Sequence, residues 1–469
     1  QSVLAVGGYV NDVTAQQTTI VAVATPPGRG GLGVIRLSGP RSLLLVEGLI
    51  PPSTRGRWVP NRASLRLIID PQCDEVIDEA LVTWYRAPHS FTGEEVVEIS
   101  CHGSPVVLEQ VLRLLTAAGA ALAEPGEFTM RAFLNRRLDL TQAEAIHDLI
   151  EARTAYQARV AARQVQGELS KQLQPLREEL IELIVYLESS VEFVEDDLDS
   201  LNQERIYALL WSQVATLERL VVTYQFGKVL REGARLALVG LPNVGKSSIF
   251  NALLGRDRAI VTPLPGTTRD TLSEPLSIEG IPLMLVDTAG IRSSDDPIEQ
   301  IGVERTRSAI VDADLVVAVL ESTSSLPPEE VTLLEEASAS LYLINKSDLS
   351  PFRSWEGLRN LAPSQPILEV SARTGQGFED LRHTLHRLLL PAGCGDVEGA
   401  LVTNERHYLA LQETLNCLRQ ALSDLEAGQT EEILLDPLHL ALRNLGLITG
   451  ETLIGDLLNQ IFATFCIGK

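Results

Sequence analysis

The sequence predicts an α/β plus all-α architecture, with one α/β unit inserted into a helical region that is split along the chain. Three observations carry this expectation. Short apolar, β-rich runs alternate with helical stretches over residues 235–390, as in a parallel sheet with crossover helices. Segments rich in Ala, Leu, Glu and Gln, with few Gly or Pro, flank that stretch at 140–226 and 404–465. At 469 residues and 45% hydrophobic content, the chain is globular in composition and too long for one compact core.

The elements follow in order. Apolar β-rich runs at 19–24, 33–37, 80–84 and 96–100 alternate with turn clusters and one helical stretch, 105–118, which makes the N-terminal part mixed α/β. Helical periodicity then holds until the inserted unit and returns after a Pro/Gly-containing linker at 391–399. The expected domains are 1–138 (N-terminal α/β), 139–230 (first helical part), 231–392 (inserted α/β) and 393–469 (second helical part). Two helical parts that each lack a core of their own are expected to pack together.

Composition bounds the function. No apolar run approaches the ~20 residues that span a bilayer, so no membrane partner is expected. Residues 1–17 lack the basic start and apolar stretch of a secretion signal. Five cysteines (Cys73, Cys101, Cys394, Cys417, Cys466), odd in number and widely spaced, form no disulfide framework or CxxC pair and fit a reducing cytoplasm. The net charge of −23 repels phosphate backbones on average, so composition alone disfavours nucleic acid as a ligand. A local basic patch or a cationic protein partner remains compatible with it.

The chemistry begins where an apolar run at 235–239 enters Gly240-Leu241-Pro242-Asn243-Val244-Gly245-Lys246-Ser247, followed by a helical stretch opening at Ser248. This is GxxxxGK[ST] in the strand–loop–helix setting that the motif demands. Glycines let main-chain N–H groups, those of Asn243, Val244 and Gly245 among them, wrap a polyphosphate at a helix N-terminus. Lys246 places a cation on the β and γ phosphates, and Ser247 offers an oxygen to Mg²⁺. A second apolar run, 283–286, ends in Asp287-Thr288-Ala289-Gly290. By itself a strand ending in Asp is more often a turn or a cap. Downstream of a P-loop, Asp287 suits a Mg²⁺-bound water and the Gly290 N–H suits the γ-phosphate.

A third run, 341–344, leads into Asn345-Lys346-Ser347-Asp348. The Asp348 carboxylate can accept from both N1–H and the 2-amino group of guanine. Adenine has neither donor, a mismatch that excludes it by ~10⁴. Ser371-Ala372-Arg373 adds backbone donors beside the base oxygen. In this order the motifs favour GTP over ATP. Between the first two motifs, Gly266-Thr267-Thr268-Arg269-Asp270 supplies a Thr hydroxyl for the Mg²⁺ shell. Thr268 is the choice, with Thr267 its neighbouring alternative. Where Ras-like GTPases carry a water-orienting Gln, this chain has Ile291, which cannot hold water. The acids Asp295, Asp296, Glu299 and Glu304 follow, and composition does not select among them. Arg269, Arg292 and Arg305 stand equally as arginine-finger candidates.

The chain resembles the bacterial and organellar tRNA-modification GTPase family MnmE (TrmE). The resemblance rests on Ala24-Thr25-Pro26-Pro27-Gly28-Arg29-Gly30-Gly31, Ser90-Phe91-Thr92-Gly93-Glu94-Glu95 and Pro125-Gly126-Glu127-Phe128-Thr129. It continues through Leu138-Asp139-Leu140-Thr141-Gln142-Ala143-Glu144-Ala145 to the terminal Cys466-Ile467-Gly468-Lys469. It implies an N-terminal folate-binding-like domain, a split helical domain and an inserted Ras-like P-loop GTPase domain. It also implies a homodimer and a flavoprotein partner, MnmG (GidA), which carries FAD. Together the two proteins use a tetrahydrofolate one-carbon donor to add an aminomethyl-type group at C5 of the tRNA wobble uridine.

Further roles come only from the resemblance. K⁺ replaces the arginine finger, held by Asn243, Thr262, Thr267 and the Leu264 carbonyl. Glu299 becomes the water-positioning acid. Arg36, Glu98, Arg137 and Lys469 match the folate pocket; the family often has Lys where this chain has Arg137, which keeps charge and changes geometry. The Cys466 thiol would serve the modification chemistry, as acid or as nucleophile.

A second reading is a switch GTPase of ribosome assembly, against which stands the acidic helical region after the sheet unit. A third, a folate-binding structural protein with an idle GTPase unit, conflicts with the intact phosphate and base motifs. Three signals are set aside. The GxGxxG match at 28–33 lacks the helix that must follow it. His383 and His386, at i, i+3 spacing, have no further Cys or His to complete a metal site. Arg131, Arg136 and Arg137 suit RNA and an anionic folate tail equally.

Overall fold

The computed structural model describes residues 18–192, 200–257, 273–286, 310, 313–323, 326–349, 355–361, 363–389, 399–452 and 455–468. The chain divides into two compact units. One comprises residues 1–147, 165–170 and 443–469; the other comprises 148–164 and 171–442.

The first unit is built on a six-stranded sheet. Its strands are β1 (Ile20–Val23), β2 (Gly30–Ser38), β3 (Ser64–Asp70), β4 (Glu75–Tyr85), β5 (Val96–Gly103) and β6 (Ala121–Leu122), in the spatial order β3-β4-β5-β2-β1-β6. All neighbours are antiparallel except β1 and β6. Period-2 alternation decides the layers. Val21 of β1 joins a core with Ile35, Leu37, Val97 and Ile99 under the Pro105–Ala117 helix, whose Val111 and Leu115 face it. Its neighbours Ile20 and Ala22 point to the opposite face and meet Phe128 of the Glu127–Leu134 helix. The sheet is thus covered on both faces at β1, while β4 alternates buried and exposed positions. The run at 28–33 leads directly into β2, so no helix follows it.

The second unit contains the Ser200–Val222, Tyr224–Glu232 and Glu405–Glu426 helices and most of Ala155–Val165, Glu168–Glu192 and Glu431–Thr449. Helices from both sides of the insertion meet: Glu405–Glu426 packs along Ser200–Val222, with Arg419 paired to Glu218 at 2.6 Å and Tyr207 donating to Glu426 at 3.0 Å. The split helical region is thus closed by tertiary contact.

Its sheet has the strands β7 (Ala234–Val239), β8 (Ser273–Ile278), β9 (Ile281–Val286), β10 (Leu315–Glu321), β11 (Leu341–Asn345) and β12 (Ile367–Glu369), in the order β12-β11-β10-β7-β9-β8. Every pairing is parallel except the β8–β9 hairpin. Along β10, Leu315, Val317 and Val319 enter one core while Val316, Ala318 and Leu320 enter the other. Burial on both faces is why these strands read as continuous apolar runs. The chain winds from β7 to β9 on one side and through β10, β11 and β12 on the other. Ligands of such sheets bind at the carboxyl ends of the strands, near this reversal.

Candidate nucleotide and anion sites

Three sequence motifs meet at the carboxyl edge of the second sheet. β7 delivers Gly240–Ser247, β11 delivers Asn345–Asp348, and β12 delivers Ser371–Arg373. The loop after β7 turns with Asn243 at φ 65° and Gly245 at φ 98°, backbone that forms a concave row of amides suited to an anion. It then opens the Lys246–Asp257 helix, whose positive end adds to the field. Val244 is buried and pins the loop to the core, while Asn243, Ser247 and Ser248 are exposed. Lys246 crosses the loop, with Nζ donating to the Gly240 and Leu241 carbonyls at 2.8 and 2.9 Å. Phosphate oxygens are stronger partners for an ammonium than neutral carbonyls, so a polyphosphate is expected to draw it outward.

Asn345, 2% exposed, locks two of the motifs together. Its Nδ2 donates to the Val244 carbonyl at 2.9 Å, and its Oδ1 accepts from the Ala372 N–H at 3.1 Å. A side chain on Gly245 would collide with that Asn345 amide, which adds close approach to the positive φ as the reason for glycine there. Asp348 stands exposed at the mouth, with Oδ1 accepting from Ser371 Oγ at 2.7 Å. Carboxylate oxygens carry two lone pairs each, so accepting power remains for a base.

The structure narrows one expectation. Not all three amides of Ser371–Arg373 stand ready for a base oxygen: Ser371 N–H donates to Gln376 O at 3.0 Å, and Ala372 N–H to Asn345. Residues that local reading missed brace the site from β10. Ser322 donates through Oγ to Lys346 O at 2.7 Å and through N–H to Asn345 O at 2.9 Å. Glu321 pairs with Lys346 at 2.9 Å; the Thr323 hydroxyl first, then the ammonium, hold its carboxyl below the ordinary range. Thr262, Leu264, Thr267, Thr268, Asp287, Thr288, Ala289, Gly290, Glu299 and Lys469 lie outside the described residues.

The first unit holds a second polar cluster. Arg36 of β2 and Glu98 of β5 are register partners, joined by contacts of 2.8 and 2.9 Å to Glu98 Oε1. Arg36 also donates to the Gly468 carbonyl at 3.4 Å. Phe91 and Phe128 flank its guanidinium at 5.6 and 5.9 Å. Tyr85 donates to Glu98 Oε2 at 3.4 Å; burial first, then the Glu98 charge, push its phenol up and keep it a donor. The charge pair is a fifth to a quarter exposed and half-buried Phe91 lies beside it, so a ligand would meet both hydrogen-bonding groups and one apolar ring, with fully buried Phe128 behind. Exposed Arg137 lies beside Gly93. Cys466 is exposed, whereas burial and then Asp78 push the Cys101 thiol up to about 12, which makes Cys101 inert.

Arg131 and the two histidines of the Phe378–Leu389 helix each meet carboxylates. Arg131 does not face solvent for RNA: it is buried and paired with Glu127 at 2.8 Å and Glu94 at 3.1 Å. His383 and His386 both face the Glu279 carboxylate, at 2.8 and 3.2 Å. Among the described residues no group of three or more side chains is arranged to hold a metal ion.

Comparison with known proteins agrees with this layout. A family model described as the MnmE helical domain matches residues 140–466, and one for the GTP-binding protein TrmE N-terminus matches 19–137. The tRNA modification GTPase MnmE of Koribacter versatilis (strain Ellin345) is 45% identical over 456 residues, covering 96% of this chain and 99% of the relative. The protein of the same name from Roseiflexus sp. (strain RS-1) is 44% identical over 462 residues, again covering 96% and 99%. With both ends of the chain and the sheet inserted between them accounted for, this protein belongs to the MnmE family of tRNA modification GTPases.

Proposed function

We propose that the chain hydrolyses GTP and couples that reaction to the addition of an aminomethyl-type group at C5 of the tRNA wobble uridine. The observation that carries the reading is the Asn345 lock, which places the phosphate loop and the base-reading loops within one hydrogen-bonded frame. The relatives' shared name supports the tRNA half. A net charge of −23 averages over the whole surface and does not decide how RNA is met locally.

In this reading the domains are 1–138, 139–230, 231–392 and 393–469. Lys246 moves from the loop carbonyls to the β and γ phosphates. Ser247, exposed at the helix start, and Thr268 would hold Mg²⁺; exposed Asn243, with Thr262, Thr267 and the Leu264 carbonyl, would hold K⁺. Oxygen-rich donors of this kind fit both ions, which supply positive charge beside the transferring phosphoryl group. Glu299 orients water in line. The water oxygen bonds to the γ phosphorus as the β–γ bridging bond breaks, and GDP and inorganic phosphate leave.

The Arg36–Glu98 cluster would take a tetrahydrofolate derivative. Among the described residues Glu98 Oε2 has only the long Tyr85 contact and can accept from a pterin's donors, while half-buried Phe91 would face its rings and fully buried Phe128 backs the Arg36 guanidinium. Arg137 and Lys469 would meet the anionic tail, and exposed Cys466 would serve the one-carbon chemistry. The partners are a second copy of the chain, the flavoprotein MnmG with its FAD, and tRNA. In this reading the reaction runs in the cytoplasm, which the odd number of widely spaced cysteines suits.

Two measurements test this. Turnover of GTP by the purified chain should run much faster in KCl than in NaCl, and equal rates would remove K⁺ from the mechanism. Wobble nucleosides from a strain lacking the protein should lack the C5 substituent and regain it on complementation; unaltered nucleosides would sink the tRNA half.

A further inference from the structure

Among the described residues, one capping box joins the helical region to the sheet that carries the nucleotide motifs, beside the apolar core the two share. Thr154 is the N-cap of the Ala155–Val165 helix: its Oγ1 accepts from Gln157 N–H at 3.1 Å, and Gln157 Oε1 accepts from Thr154 N–H at 3.0 Å. This is the reciprocal S/T-x-x-E/Q arrangement that satisfies helix-start donors. Both side chains then do something a cap does not require. Thr154 spends its one hydroxyl proton on the Gly280 carbonyl, at 2.7 Å. Gln157 Nε2 donates to Leu230 O and Arg231 O, at 2.8 and 3.2 Å, at the end of the helix that runs through Gly233 into β7.

Gly280 is the tip of the β8–β9 hairpin. It has φ +89°, and a Cβ there would sit 2.8 Å from the Tyr156 Cβ, so tip and helix start are in van der Waals contact. Val160, Phe226 and Leu230 share one apolar core with Leu276, Ile278, Ile281 and Leu283, so the joint is packed as well as hydrogen-bonded. The other end of the hairpin is where the nucleotide reading places its γ-phosphate sensors. β8 follows the Thr267–Thr268 motif, and β9 ends immediately before Asp287. The ladder is regular from Ser273↔Val286 to Ile278↔Ile281, and each strand has six residues. Such a hairpin spans about 17 Å and moves as a unit, so displacement at its open end reaches its tip.

We propose that Thr154 and Gln157 are positioning residues that pass the nucleotide state of the sheet to the helical region, Thr154 by holding the hairpin tip and Gln157 by holding the root of the phosphate-loop strand. The proposal rests on the GTPase reading and adds to it the route by which the nucleotide state leaves the sheet. The hydrogen bond at Gly280 then differs in strength between the GDP and GTP states, and the helix start feels the difference.

Hydrogen exchange on the full chain tests it, with GDP and with a non-hydrolysable GTP analogue. In the wild type, exchange over 154–165 should differ between the two states by roughly two- to tenfold, the range one hydrogen bond commands. Thr154→Val removes the donor and the cap. It should raise exchange in both states alike and abolish the difference, while nucleotide still protects 240–247 and basal GTP turnover is unchanged. Thr154→Ser keeps both the cap and the hydroxyl donor and should restore the difference, whereas Gly280→Ala leaves the cap in place and so separates the link to the hairpin from capping alone. Gly280→Ala attacks the contact from the hairpin side and should act like Thr154→Val, which keeps the test decisive if the valine variant folds poorly. A difference that persists in Thr154→Val or Gly280→Ala overturns the proposal, as does a wild type whose 154–165 segment is blind to nucleotide while 240–247 is protected. If 240–247 gains no protection from either nucleotide, the GTPase reading falls first and this proposal with it.

Discussion

Replacing Lys246 with alanine is expected to cut kcat/KM for GTP hydrolysis by roughly 10²- to 10³-fold, the effect of removing one preorganised donor from a charge-stabilising site. The loop itself should survive. Lys246 Nζ bonds the Gly240 and Leu241 carbonyls of its own loop, both in half-buried residues. Val244 and the Asn345 clasp, which fix the loop's shape, are untouched. Melting temperature should therefore stay close to wild type while GTP affinity, read by calorimetry, drops with turnover. Turnover within a few fold of wild type would show that the phosphates lie elsewhere.

How much of this was legible in the sequence depends on how local each feature is. The phosphate loop and the Asn345–Asp348 run are contiguous, so spacing alone gave their chemistry. The residues that brace them, Ser322 and Glu321, come from the end of β10, and only the β10–β11 pairing brings them beside Lys346. The same holds in the first unit. Arg36 and Glu98 were named through a resemblance, because opposition of β2 and β5 is invisible until register is known. Phe91 and Phe128 flank Arg36 from a loop and a helix, at distances no periodicity reports.

Arg131 shows the opposite failure. A basic cluster on paper suggested an anion, but helical i, i+4 spacing sets Glu127 against it and Glu94 completes the pair. The capping box was readable, since Thr154-Ala155-Tyr156-Gln157 precedes a helical run. Its second partner at Gly280 was not.

Base selection gives the other large effect, because it turns on the polarity of two atoms. Guanine presents two donors along the edge that the proposed site sets against Asp348, and a carboxylate accepts both. Asp348→Asn replaces one acceptor with a donor of nearly equal size. The Ser371 hydroxyl, 2.7 Å from Oδ1, favours keeping the amide oxygen on its side, which turns the NH₂ toward the base. That NH₂ then opposes the 2-amino group of guanine, leaving two donors face to face. Xanthine carries a carbonyl at that position and keeps N1–H, so it matches the amide. The expected result is a loss of roughly 10⁴-fold in kcat/KM for GTP, the scale set by unpaired groups in a hydrogen-bonding site, with a gain for XTP. Asp348 is exposed, so the fold should tolerate the change, and Lys246 is left in place to serve either triphosphate. Parallel kinetics with GTP and XTP decide it: a variant that still prefers GTP, or that gains nothing with XTP, would mean another group reads the base.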